Sequence, residues 1–178
     1  MWKDGVMTDL GNLGGGYSGA YAINKSGQVV GYSDTSAGAM HAFVWQKGVM
    51  TDLGTLGGNW STAFGINDKG QVIGYSASFT GSQHGFIWKD GVMTDLGMFA
   101  GGQNGVLDVN DKGQVVGYRA ADFGPIKAFI WQNGVMTDLG TLGGNSWAVG
   151  INNHGQAVGF SEISSGSMAR HAVLWSIK

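Results

Sequence analysis

The heptad GVMTDLG occurs four times without a change, at 5–11, 48–54, 91–97 and 134–140. A fixed period of 43 residues marks a repeat architecture, in which one supersecondary unit is copied and each copy buries its apolar surface against the next. The rest of the chain keeps the same period. Trp45, Trp88, Trp131 and Trp175 each end an apolar run. Asn24, Asn67, Asn110 and Asn152 each open an N-x-x-G-Q block, whose turn is closed by Gly27, Gly70, Gly113 and Gly155. Only the last copy drifts, by one residue. The copies divide a single domain, residues 1–178, at about 1–44, 45–87, 88–130 and 131–178.

Each copy parses into four short strands. In the second copy they are TAFGIN, QVIGYS, HGFIW and VMTDL. The first joint, Asn67-Asp68-Lys69-Gly70, reads as a type I turn followed by a left-handed Gly. Lys89-Asp90-Gly91 carries the Asp-Gly signal of a tight hairpin. The other joints, SASFTGSQ and the TLGGNW-type links between copies, are longer and more varied. No stretch sustains a helical period.

QVVGYS, AFVW and VMTDL are apolar at neighbouring positions, so both faces of these strands are expected to be covered. With antiparallel hairpins, the cover must be other copies of the same sheet. The expected fold is therefore all-β: a four-bladed β-propeller of four-stranded repeats, a blade size typical of such folds. A Gly/Ala-rich strand is expected innermost and VMTDL outermost. Because the chain opens on VMTDL, the ring is expected to close by pairing Val6–Leu10 with His171–Trp175, hiding an edge that would otherwise invite aggregation. Trp2 and Trp175 are repeat-equivalent and compete for one slot. A monomer is expected, with a two-chain, eight-bladed ring as the alternative.

His41-Ala42-Phe43, His84-Gly85-Phe86, Lys127-Ala128-Phe129 and His171-Ala172-Val173, together with DLGTLGG and GIN-x-x-GQ-VGYS, resemble the HAF-repeat family of bacterial proteins. The resemblance covers essentially the whole chain, with departures at Lys127 and Val173. It implies a propeller and an extracellular or cell-surface location. It implies no activity and no catalytic residues.

Composition narrows the function. Charged residues are only 12% and the net charge is -2, which offers no footprint for nucleic acid or anionic lipid. No stretch is long and apolar enough to insert in a membrane. MWKDGVMTDL does not read as a signal peptide. Without cysteine there is neither a disulfide framework nor thiolate chemistry.

The ring of Asp9, Asp52, Asp95 and Asp138 lies on outermost strands, so local hydrogen bonds are expected there. His41, His84 and His171 stand roughly 10 Å farther from the axis than the first strand, too far apart to share one ion. His154 is expected solvated in its turn. Asp108–Gly113 imitates a calcium loop but puts Lys112 in a ligand place and lacks the closing Glu. No metal and no cofactor are expected. Glu162 is the sole Glu, and no nucleophile or zinc motif appears.

The remaining signal is aromatic. Tyr17 and Trp60 occupy matching places in the longer links, with Trp147 within one residue. Asn59 and Asn145 stand beside the two Trp. Rings with neighbouring amides suit the C–H faces and hydroxyls of sugars. The third copy breaks the pattern with Gln103, Asp108, Arg119, Asp122 and Lys127, a candidate asymmetric site. The ligand-binding candidates are Tyr17, Asn59, Trp60, Asn145, Trp147, Asp108 and Arg119. The expected function is a non-enzymatic module binding carbohydrate or another small polar ligand. The alternative is a structural or protein-interaction domain; an enzyme using Asp residues near the axis comes third.

Overall fold

A computed structural model describes residues 2–3, 5–98, 104–120 and 124–177. These residues are strands and turns, with no helix among them. β1 (Trp2–Lys3) and β2 (Val6–Met7) form a short hairpin. The first repeat unit holds β3 (Gly14–Ile23), β4 (Val29–Thr35), β5 (Met40–Gln46) and β6 (Val49–Asp52). The second holds β7 (Gly57–Ile66), β8 (Val72–Ser78), β9 (Gln83–Lys89) and β10 (Val92–Met98). The third holds β11 (Asn104–Val109), β12 (Val115–Ala120), β13 (Ile126–Gln132) and β14 (Val135–Asp138). The last holds β15 (Ser146–Ile151), β16 (Gln156–Glu162) and β17 (Arg170–Ser176). Each unit is an antiparallel meander in chain order, and one parallel bridge, Met40 to Trp60, ties the first unit to the second.

The tight joints form as their residues demand. Gly27 N–H donates to the Asn24 carbonyl at 3.0 Å, and Gly27 takes a φ of 75°. Asn24 Oδ1 accepts from the N–H groups of Ser26 and Gln28, so the side chain braces its own turn. In the second hairpin Asp90 and Gly91 both take left-handed φ, 49° and 88°, the signature of the turn whose twist suits paired strands. Lys47-Gly48 and Asn133-Gly134 repeat it.

One glycine of the repeat is required by close approach. β3, β7, β11 and β15 each shift register at the same place, between Ala20 and Ala22 and at its equivalents. The shift pushes the carbonyls of Gly19, Thr62, Gly105 and Trp147 onto Gly31, Gly74, Gly117 and Gly159, where any Cβ would collide with them. This accounts for the Gly in every VGY/VGF segment.

The core lies between successive sheets. Val30, Ala42 and Leu53 of the first unit meet Ala63, Val72 and Phe86 of the second. Ile73, Ile87 and Leu96 meet Val106, Val109, Val115 and Phe129. Val116, Ala128 and Ile130 meet Ala148 and Ala157. The Ala-Phe pair of the repeat thus serves two junctions at once: Ala packs forward and Phe packs back. The edge strand behaves otherwise than expected. Val49 is 64% exposed, and only Met50 of that strand turns inward, because an outermost strand lies beyond the reach of its neighbours.

Closure also differs from expectation. Val6–Met7 pairs with Trp2–Lys3, in the register Trp2 to Met7 and Lys3 to Val6. Among the described strands β17 pairs only with β16, so the last sheet has three strands and the array is open. Trp2 has taken the slot of its repeat equivalent, Trp175. A hairpin closed through Gly5, with φ of 84°, orders far fewer residues than a pairing across the whole chain.

Candidate functional site

The starts of β3 and β7 share one face of the array with the turns that end β4 and β8. Gly14 lies against Ser36, and Gly57 lies against Phe79. Tyr17 stands on this face and is 76% exposed. Asn59 is exposed and Trp60 half-buried. The side chains of Tyr17, Asn59 and Trp60 have no hydrogen-bond, ion-pair or ring partner among the described residues. Phe79, 89% exposed, adds an aromatic that the sequence reading passed over; an apolar ring at the tip of SASFTGSQ was the available signal.

The other candidates are committed to bracing. Trp147 lies opposite Phe160, as Thr62 lies opposite Tyr75. Its ring stacks on Phe160 at 4.9 Å, and the Arg170 guanidinium covers it at 4.5 Å. Ser146, one residue earlier, is the true partner of Ser61: Ala42 and Ala128 donate to their hydroxyls at 2.8 and 2.9 Å. The last link is one residue short, so Trp60 has no counterpart in the fourth copy. Asn145 accepts from Ile126 N–H at 2.7 Å through Oδ1, and its own N–H donates to Glu162 at 3.1 Å. Glu162 is buried and ion-paired with Arg170 at 3.7 Å.

Asp108 and Arg119 also have structural tasks. Asp108 accepts from Val109 N–H at 2.9 Å and from Ile151 N–H of the next sheet at 2.8 Å. It is half-buried and braces the two units. Arg119 donates to Asp138 at 2.9 and 2.6 Å, and Lys127 reaches the other oxygen at 3.5 Å. Their counterparts are His41 on Asp52 and His84 on Asp95, both at 2.8 Å. The third copy has exchanged an imidazole brace for a guanidinium and an ammonium. Gln103 and Asp122 lie outside the described residues.

Several other polar groups are braced in the same way. Asp9, Asp52 and Asp95 accept from the N–H of Gly11, Gly54 and Gly97 at 2.9, 2.7 and 2.7 Å. Lys25 and Asp68 pair at 2.6 Å, which raises the Lys25 ammonium and lowers the Asp68 carboxyl, chiefly through their mutual hydrogen bond. Burial pushes the Tyr75 phenol up to about 12, while its oxygen accepts from Val106 N–H at 3.0 Å. Among the described residues no three metal-ligating side chains converge.

No family model matches the chain, and no curated protein matches it. Solved structures do. The β-propeller domain of the Trilobed protease from Pyrococcus furiosus is similar to this chain with a TM-score of 0.62 at 12% identity. That likeness covers 91% of this chain and 53% of the other, so the chain spans about half the length of that domain. Pyrococcus horikoshii acylaminoacyl peptidase is similar with a TM-score of 0.58 at 13% identity, over 89% of this chain and 26% of the other. Likeness at such low identity speaks for the fold: stacked antiparallel sheets of the β-propeller kind.

Proposed function

We propose that the chain is a non-catalytic recognition module whose four repeat units are propeller blades, and that it takes a small polar ligand, a carbohydrate ring, on the face that carries Tyr17, Asn59 and Trp60. The observation that carries this reading is the division of labour among the candidates. Asn145, Trp147, Asp108 and Arg119 are spent on structure. Tyr17, Asn59 and Trp60 are not. An exposed ring holds a sugar by its C–H face, and a free carboxamide meets hydroxyls as donor and acceptor. Each stacking contact adds on the order of 1 kcal/mol, so single-site affinity is weak. The resemblance to the HAF-repeat family supports an extracellular or cell-surface place for such a module.

A glycan array probed with the full chain, followed by Trp fluorescence titration of the hits, tests this. Tyr17→Ala and Trp60→Ala should each weaken the hit by about 5-fold while leaving the unfolding midpoint nearly unchanged. Loss of stability with unchanged binding would mean that the rings are packing residues.

A second reading, a protein-interaction domain, is favoured by the apolar surface left at both ends of the array, where Ile23 is 57% and Leu174 60% exposed.

A further inference from the structure

The ends of the array expose what its interior junctions bury. Inside the chain, each sheet meets the next in the same way. Asn24, Asn67 and Asn110 donate through Nδ2 to the carbonyls of Asn67, Asn110 and Asn152 at 3.0, 2.7 and 2.9 Å. Val30, Ile73 and Val116 are fully buried at these junctions. Val158 holds the same register in β16 but is 48% exposed. Ile87 and Ile130 are buried, whereas their equivalent Leu174 is 60% exposed. At the other end Ala20 is exposed, although its equivalents Ala63, Val106 and Ala148 are fully buried. Beside it an open apolar hollow is lined by Leu10, Ala20, Tyr21, Ala22, Ile23 and Val29.

Polar groups are left over in matching places. The carbonyls of Ala42 and Ala128 accept from Leu53 and Leu139 N–H at 2.9 and 2.8 Å, and their N–H groups reach Ser61 and Ser146. No leucine N–H and no serine hydroxyl reaches Ala172 among the described residues. Ser18 donates to the Gly11 carbonyl, as Ser61 does to Gly54, but among the described residues no N–H donates to the Ser18 hydroxyl. His171, the equivalent of His41 and His84, has no partner among the described residues. Among the described residues Asp9, the equivalent of Asp52 and Asp95, accepts only from Gly11.

We propose that two copies of this chain join head to tail in one closed ring, each presenting its β15–β17 sheet to the β3–β4 face of the other, with His171 of one against Asp9 of the other. Val158 then packs on Ala20 and Val29, as Val30 packs near Ala63 and Val72. Leu174 fills the space beside Leu10 and Phe43, and Ala172 gains Ser18 and Leu10. The first GVMTDLG segment leaves Trp2–Lys3 and pairs with the other copy's Trp175 and Ser176, which claim the same edge. A second copy fits better than closure within one chain because these four sheets span 53% of a longer propeller domain, so two arcs fill a ring. One rung is missing at this seam. Asp68, Asp111 and Asn153 accept the N–H of the preceding sheet at 3.0, 3.0 and 2.8 Å, but their equivalent Lys25 has no acceptor. The seam is therefore weaker than the interior junctions, and the association is reversible.

Sedimentation velocity of the full chain across a dilution series tests the proposal, independently of any ligand. The expected species has twice the 18.6 kDa chain mass and dissociates on dilution. Leu174→Asp, at an exposed position, should fold normally and weaken association by about 100-fold, since it would bury a charge without a partner. His171→Asp should weaken it too, and Asp9→His in the same chain should restore it. Lys25→Asn should tighten it by about 5-fold, the worth of one added hydrogen bond. A folded monomer at every concentration overturns the proposal. So does a mass that grows without limit, or a dimer that Leu174→Asp leaves intact.

Discussion

Asn67 donates its Nδ2 to the carbonyl of Asn110 at 2.7 Å, across 43 residues of chain, and both side chains are buried. The same nitrogen donates to Gln71 Oε1 at 2.7 Å, and Asn67 Oδ1 accepts from Lys69 and Gln71 N–H. One carboxamide thus shapes its own turn and holds the next sheet. Asn67→Asp keeps the acceptor and removes both donors. It should lower stability by about 1–3 kcal/mol, because it removes the inter-sheet donor from the Asn110 carbonyl, which keeps only Gly113 N–H, and sets a carboxylate beside that carbonyl. A lower urea midpoint at unchanged slope would show it.

Gly74→Ala should be far worse than Gly81→Ala, although both add one methyl. A Cβ at Gly74 meets the Thr62 carbonyl and comes to 2.7 Å from the Phe86 ring. A loss above about 3 kcal/mol, or failure to fold, is expected from such overpacking against backbone. Gly81 has open space around it and φ of 81°, so Ala there should cost only the left-handed penalty, about 1 kcal/mol. Thermal melts and soluble yield compare the two.

Asp108→Gly, which restores the residue found at 65 and 150, should destabilise rather than stabilise the chain. It strips an acceptor from Ile151 N–H, at a cost of about 1 kcal/mol. Arg119→Ser combined with Lys127→His should stay within about 0.5 kcal/mol, since both partners of Asp138 are partly exposed. Chemical denaturation of the two variants separates these expectations.

Tyr75 makes the fold sensitive to alkali. Its phenol is raised from the usual 10.0 to about 12 by burial, so the folded state holds a proton that the unfolded state releases earlier. The contribution is complete below pH 10.0 and is lost as pH rises toward about 12. Unfolding midpoints should fall across that window. Tyr75→Phe should be less stable at neutral pH, having lost the acceptor for Val106 N–H, and should show a flatter alkaline decline.

Much of this was legible in the sequence because period and turn chemistry are local. Asn24–Gly27 and Asp90-Gly91 announce their turns through side chains that act within a few residues. The competition of Trp2 and Trp175 for one slot was visible; its outcome was not, because it is decided by the relative cost of a short hairpin and a chain-length closure. Trp147 looked like a counterpart of Trp60 because both follow the link. Counting backward from Asn152 instead of forward from Gly140 would have set it opposite Phe160. Asp108 was read as an intruder near water, since nothing in a linear pattern tells that Ile151 N–H is waiting 43 residues on.

Lys25 gives the array a direction. At every interior junction the Asn-x-x-Gly turn of one sheet donates an Asn Nδ2 and a turn N–H to the turn of the next, so the turns stack in one sense only and each presents what the last received. A further copy spliced between the second and third would find both of its neighbours already matched. Length in such a chain is free to change by whole units, and the first sheet, where Lys25 takes the place of an acceptor, is the one that cannot be moved inward without loss.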